Sequence, residues 1–134
     1  MPDVTFAKIN VRVRDVAAAV DYARDVLGAQ VVREPQTIDL GSMAMVRLGG
    51  LIIEILAPDR PDSPLAQIVD KRGEGFDSLG FFTGDVNAAV ADLESGGARL
   101  VSNDGRIAWV HPRNPLSLSL ELLQAGEVDL TGES

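Results

Sequence analysis

The sequence predicts an α+β fold: two tandem βαβββ modules whose strands form one curved, mixed sheet around a cavity. The first observation is an internal repeat. Ile9–Val20 reads INVRVRDVAAAV and Leu79–Val90 reads LGFFTGDVNAAV, so Asp15, Val16, Ala18, Ala19 and Val20 match Asp85, Val86, Ala88, Ala89 and Val90. The offset is about 70 residues, too long for a solenoid and suited to two halves of one domain related by pseudo-twofold symmetry. Second, each copy runs from a strand through a helix to a glycine, Gly28-Ala29 in the first half and Gly97-Ala98 in the second. Third, each half ends in an apolar strand with one acid inside it. LIIEIL covers Leu51–Leu56 and LSLELL covers Leu118–Leu123, which places Glu54 and Glu121 at equivalent points.

The elements follow in order. Phe6–Val13 alternates apolar and polar residues, the pattern of a strand with two unlike faces. Asp15 stands where a helix N-cap belongs, because its carboxylate can accept from the first free amides. Val16, Ala19, Val20, Ala23 and Leu27 then give a helical stripe that Gly28 ends. Gln30–Arg33 is a short strand, and Met43–Leu48 and Leu51–Leu56 are two more, joined through Gly49-Gly50. A Pro-rich stretch then carries a short helix from about Pro64 to Lys71 and ends in glycines. Asp85 caps the second helix, with Val86, Ala89, Val90 and Leu93 as its stripe and Gly96-Gly97 as its end. Arg99–Ser102, Ile107–Val110 and Leu116–Leu123 are the remaining strands. The expectation is a single domain over 1–134: module 1 at about 6–57, a connector at about 58–75, module 2 at about 76–124 and a frayed acidic tail at 125–134.

Composition narrows the function. Of the 134 residues, 46% are hydrophobic, enough for a real core, and the net charge is -8. That charge argues against nucleic acid as a partner, because phosphate contacts need clustered Lys and Arg. With no cysteine, disulfides and thiolate metal ligands are excluded. MPDVTFAKIN lacks the charged region and apolar run of a signal peptide, and no stretch approaches the roughly 20 apolar residues of a membrane span. A cytoplasmic protein without a membrane partner is the expectation.

Strand faces locate the candidate site. On the first strand Ile9, Val11 and Val13 share the face that must cover the helix, while Lys8, Asn10 and Arg12 share the other. Ser78 occupies the repeat position of Lys8 and shares its face with Gly80 and Phe82. Ser117, Ser119 and Glu121 take the cavity side of the last strand, and Glu54 faces inward with Ile52 and Leu56. The repeat thus sets four equivalent positions around one axis: Lys8, Glu54, Ser78 and Glu121.

Three segments carry a family resemblance: RDVAAAVDYARDVLGA, IEILAPDRPDSPLAQIVDKRGEGF and WVHPRNPLSLSLELLQ. With the repeat they cover roughly Phe6–Gln124 and resemble the vicinal oxygen chelate superfamily (glyoxalases, bleomycin-resistance proteins and dioxygenases). PDSPLA running into KRGEG is similar to the methylmalonyl-CoA epimerase branch. The resemblance implies a divalent metal held at the four inward positions by two histidines and two carboxylate or amide side chains. Here the histidine positions are Lys8 and Ser78. A charged lysine has no lone pair, and serine is a poor ligand for zinc or cobalt, so the set is degenerate and no cofactor is expected. A metal through Glu54, Glu121 and His111 is the remaining alternative.

The resemblance also implies roles. Glu121 matches one catalytic base, and Asp39 is the stand-in for a second on the strand region near Ile38–Leu40. Lys8 then replaces the metal as the positive partner of an enolate oxygen. Asn10, Arg12, Glu54, Ser78, Ser119, His111 and Arg113 are the candidate substrate contacts, with Arg12 a possible anion clamp and Arg113 and Lys71 facing the phosphates of a coenzyme A tail. Plainer roles stand beside these: a structural salt bridge for Arg12, a turn residue for His111, solvated surface charge for Arg113 and Lys71. Two function classes stay open. One is an epimerase-like or glyoxalase-like isomerase or lyase acting on an acyl thioester or other carbonyl compound. The other is a binding protein that sequesters a small molecule without chemistry. A homodimer is the assembly the superfamily implies.

Overall fold

The computed structural model describes residues 3–130. It is a mixed α+β chain with strands β1 (Val4–Arg12), β2 (Gln30–Ile38), β3 (Gly41–Leu48), β4 (Leu51–Ala57), β5 (Gly75–Thr83), β6 (Leu100–Asn103), β7 (Ile107–Val110) and β8 (Leu120–Gln124). Helices α1 (Val16–Asp25), α2 (Pro64–Arg72) and α3 (Val86–Ser95) lie between them. No helix among the described residues is long and apolar enough to cross a membrane. The chain divides into two compact units. The N-terminal unit holds Ile9–Asp77 with Leu130, and the C-terminal unit holds the residues up to Lys8 with Ser78–Asp129.

In the N-terminal unit the strands lie in the order β2-β3-β4-β1, antiparallel except for β1 beside β4. Asp15 caps α1, accepting from the Ala18 amide at 3.1 Å. The helix ends sooner than its apolar stripe implied: Val26 is its C-cap and Gly28 follows in the left-handed region at φ 72°, so Leu27 is exposed. Val20 and Ala23 pack on Ala44, Val46 and Ile55, with Val11, Val31 and Ile53 around them. This places the odd-numbered face of β1 and β4 under the helix, as the alternation predicts. β2 runs on to Ile38 rather than stopping at Arg33, with register shifts on either side of Arg33.

The C-terminal unit repeats the plan in the order β5-β8-β7-β6, with β5 parallel to β8. Asp85 caps α3 by accepting from Ala88 at 3.1 Å, the same contact as in the first copy. Val86, Ala89 and Val90 bury against Ala108 and Leu122. Val4 joins this cluster, and Phe6 meets Phe81 edge-to-face at 5.6 Å between ring centroids, so the first part of β1 packs with the C-terminal unit.

Two expectations need correction here. The last strand begins at Leu120, not Leu116. Asn114 organises a turn first: its amide donates to the His111 and Leu118 carbonyls, its Oδ1 accepts from the Leu116 amide, and Ser117 sits at φ 55°. The tail is not frayed throughout its length. Leu130 is buried, and its carbonyl accepts from Arg33 Nε at 3.2 Å; residues 131–134 lie outside the described residues.

Candidate active site

In the C-terminal unit the site is built on one sheet face. Gly80 lies directly opposite Glu121, and Trp109 lies opposite Glu121 on its other side. Directly opposed residues point to the same face, so Gly80, Glu121 and Trp109 form a row across β5, β8 and β7. Phe81 and Leu122 alternate onto the other face and pack against α3. Ser78, two residues before Gly80, shares the row's face and is fully buried.

Into this row comes Lys8 from the end of its part of β1. Its Nζ lies 3.0 Å from Glu121 Oε1, with the side chains 3% and 8% exposed. Neither charge could be buried cheaply alone; at this distance each offsets part of the other's desolvation. The sequence places Lys8 and Glu121 at facing positions, and the geometry makes them an ion pair.

The N-terminal unit carries the other predicted residues. Asn10 faces Glu54 in the β1–β4 register, and Met45 faces Glu54 from β3, so these three share a face. Asn10 is fully buried and Glu54 half-buried. Asp39 is exposed in the two-residue turn between β2 and β3. That turn needs Gly41: φ is 147°, and a Cβ there would collide with the Ala57 carbonyl oxygen.

Arg12 has a structural task. Its Nε donates to the Gly73 carbonyl at 2.8 Å, and its Nη1 donates to the Phe76 carbonyl at 3.0 Å and to Asp77 Oδ1 at 2.9 Å. The guanidinium fork therefore ties β1 to the segment between α2 and β5. His111 and Arg113 also belong to local structure, since His111 Nδ1 accepts from the Arg113 amide at 2.9 Å. The Arg113 side chain is exposed, as is Lys71 at the end of α2. Ser119 is half-buried just before β8, and its Oγ donates to the Val110 carbonyl at a long 3.4 Å.

A divalent ion does not fit these residues. Lys8 presents an ammonium to Glu121 in the C-terminal unit, and an ammonium repels a cation and offers it no lone pair. Among the described residues, no group of three or more His, Cys, Asp or Glu side chains comes together. Gly80 and Trp109 are the neighbours of Glu121 that strand alternation alone did not single out. A glycine inside an otherwise apolar strand was the available signal for the first, since it marks a close approach.

The comparisons with known proteins agree with the topology. The family profile for the Glyoxalase/Bleomycin resistance protein/Dioxygenase superfamily matches residues 8–114. The mitochondrial methylmalonyl-CoA epimerase of Mus musculus is 31% identical over 126 residues, covering 87% of this chain and 71% of that protein. The crystal structure of methylmalonyl-CoA epimerase from Mycobacterium tuberculosis superposes with a TM-score of 0.77 at 26% identity, covering 89% of this chain and 86% of that one. A methylmalonyl-CoA epimerase in complex with methylmalonyl-CoA and NH4+ gives a TM-score of 0.79 at 26% identity, covering 95% of this chain and 99% of that one. The repeated βαβββ plan, the match over most of the chain and the shared fold lead to one assignment: this chain belongs to the glyoxalase/bleomycin resistance protein/dioxygenase superfamily.

Proposed function

We propose that the chain is an epimerase-type isomerase acting next to the carbonyl of an acyl thioester such as methylmalonyl-CoA, with Lys8 in the place of a metal ion. The observation that carries this is the buried pair of a carboxylate and an ammonium 3.0 Å apart on one sheet face. Proton abstraction beside a carbonyl needs those two groups, a base for the α-proton and a positive charge for the enolate oxygen. The homologues are epimerases, which supports the isomerase class over a lyase. One relative holds methylmalonyl-CoA together with NH4+. The Lys8 side chain carries the same ammonium chemistry on a tether.

In the proposed reaction a Glu121 oxygen takes the α-proton, and the electron pair moves onto the thioester oxygen. The Lys8 ammonium, with the Ser78 hydroxyl as a second donor, stabilises the resulting enolate. Epimerisation also needs a proton donor to the carbon, and Asp39 is the residue proposed for that role. Glu121 leaves protonated and Asp39 deprotonated, so exchange with water resets both. Asn10 and Glu54 remain the proposed substrate contacts of the N-terminal unit. A cytoplasmic homodimer is the proposed setting, and sedimentation of the purified chain checks the assembly.

The test is epimerisation of one enantiomer of methylmalonyl-CoA, followed by circular dichroism or a coupled assay. Glu121→Gln keeps the shape of the side chain but cannot accept the proton, so kcat should fall by about 100-fold or more. An unchanged rate would remove Glu121 as the base. A wild-type chain that binds the thioester without turning it over would favour sequestration instead.

A further inference from the structure

The row that carries Glu121 has one position with no side chain. Gly80 is buried opposite Glu121, and it is not among the glycines with positive φ. Backbone freedom therefore does not account for it, and space does. A Cβ at Gly80 would lie 2.9 Å from Lys8 Cγ, 3.0 Å from Lys8 Cε and 3.5 Å from Glu121 Oε1. The first two separations are inside normal carbon–carbon contact, which begins near 3.5 Å. By contrast, Gly84 on the same segment has nothing within 4 Å of the equivalent point. Nor can Lys8 step aside, because its stem is buried and its Nζ is held by Glu121.

We infer that Gly80 is a positioning residue for Lys8: the missing Cβ is the gap through which the lysine stem crosses β5 to bring its ammonium to Glu121. Gly80 and Lys8 then form a steric unit: the lysine stem requires a glycine at position 80, and a side chain there is tolerated only when the stem is absent. The catalytic consequence rests on the reaction proposed above, whereas the steric coupling does not.

Four proteins test both parts: wild type, Gly80→Ala, the double variant Lys8→Ala/Glu121→Gln, and the triple variant that adds Gly80→Ala to it. The double variant removes the stem and neutralises the acid together, so it leaves no isolated charge. In the wild-type background Gly80→Ala should lower the thermal midpoint by about 4 °C or more. In the double-variant background it should cost nothing or raise the midpoint, since alanine is entropically the easier residue to order in a strand. A Gly80→Ala protein that folds only in the second background is the same result in a stronger form. Equal losses in both backgrounds would overturn the coupling. The second readout is kinetic. Gly80→Ala should lower kcat at least about 10-fold with KM nearly unchanged, because the displaced ammonium serves charge that develops in the transition state. An unaltered kcat in an active enzyme would overturn the catalytic part. An inactive wild type would instead remove the proposed reaction, and the midpoint comparison would still decide whether Gly80 positions Lys8.

Discussion

Lys8→Ala takes away the ammonium that faces Glu121 at 3.0 Å and leaves the carboxylate in a site where its side chain is 8% exposed. Water reaches such a group poorly, so solvent cannot replace what the lysine supplied. Breaking a buried pair by removing one member costs about 3–5 kcal/mol. For a chain of this length that corresponds to a fall in thermal midpoint of about 10–20 °C. Urea denaturation, monitored by far-ultraviolet circular dichroism, measures the change. Adding Glu121→Gln to Lys8→Ala should recover a large part of the loss, because the second substitution removes the stranded charge. The recovery separates electrostatics from lost packing of the lysine stem, which it would leave in place. A cost below about 1 kcal/mol, the range of exposed pairs, would show that the pair is not buried as described.

Other outcomes follow from the same geometry. Arg12→Ala should cost about 2–4 kcal/mol of stability, since it leaves two carbonyls and Asp77 without the guanidinium fork. It should leave KM for the thioester unchanged; a stable variant with a raised KM would restore Arg12 as an anion clamp. Gly41→Ala should destabilise by about 2 kcal/mol or more, because φ 147° is unfavourable for alanine and its Cβ would meet the Ala57 carbonyl. A neutral Gly41→Ala in urea melts would mean the β2–β3 turn is looser than it is here. Asp104 is held below the usual carboxylate range by the Ile107 and Arg106 amides that donate to it. A depressed acid stabilises the fold above its unfolded value near 3.9 and loses that contribution as pH falls through the folded value. Asp104→Asn should therefore be less stable than wild type near pH 7 and converge with it as pH falls through the folded value; a constant gap would deny the charge a role.

Much of this molecule was legible in the sequence because its signals are local and occur twice. Asp15 and Asp85 cap their helices through identical contacts, and one cap would have been weaker evidence than the matched pair. Strand alternation placed Val11, Ile53 and Ile55 beneath α1 and Leu122 beneath α3. It also placed Lys8 and Glu121 on inward faces. What the sequence could not supply is cross-strand register, because pairing between distant segments leaves no periodic trace. Gly80 and Trp109 became neighbours of Glu121 only through that register. Arg12 sat on the right face, but its partners come from the segment around Gly73–Asp77, about 60 residues away, where nothing local announces the contact. The start of β8 was misplaced because LSLSLELL alternates well, whereas the side chain of Asn114 holds the preceding residues in a turn.

The proposed reaction has the Lys8 ammonium, not a metal, beside Glu121, and α-proton exchange distinguishes the two. The chain is stripped with a strong chelator, verified as metal-free by elemental analysis, and incubated with methylmalonyl-CoA in deuterium oxide. Mass spectrometry then follows deuterium entering the α-carbon. Exchange should proceed in the stripped protein, gain nothing from added cobalt, manganese or zinc, and fall by about 100-fold or more in Lys8→Met and in Glu121→Gln. Exchange that appears only when a divalent ion is restored, or that survives Lys8→Met at the wild-type rate, would show that Lys8 does not supply the positive charge.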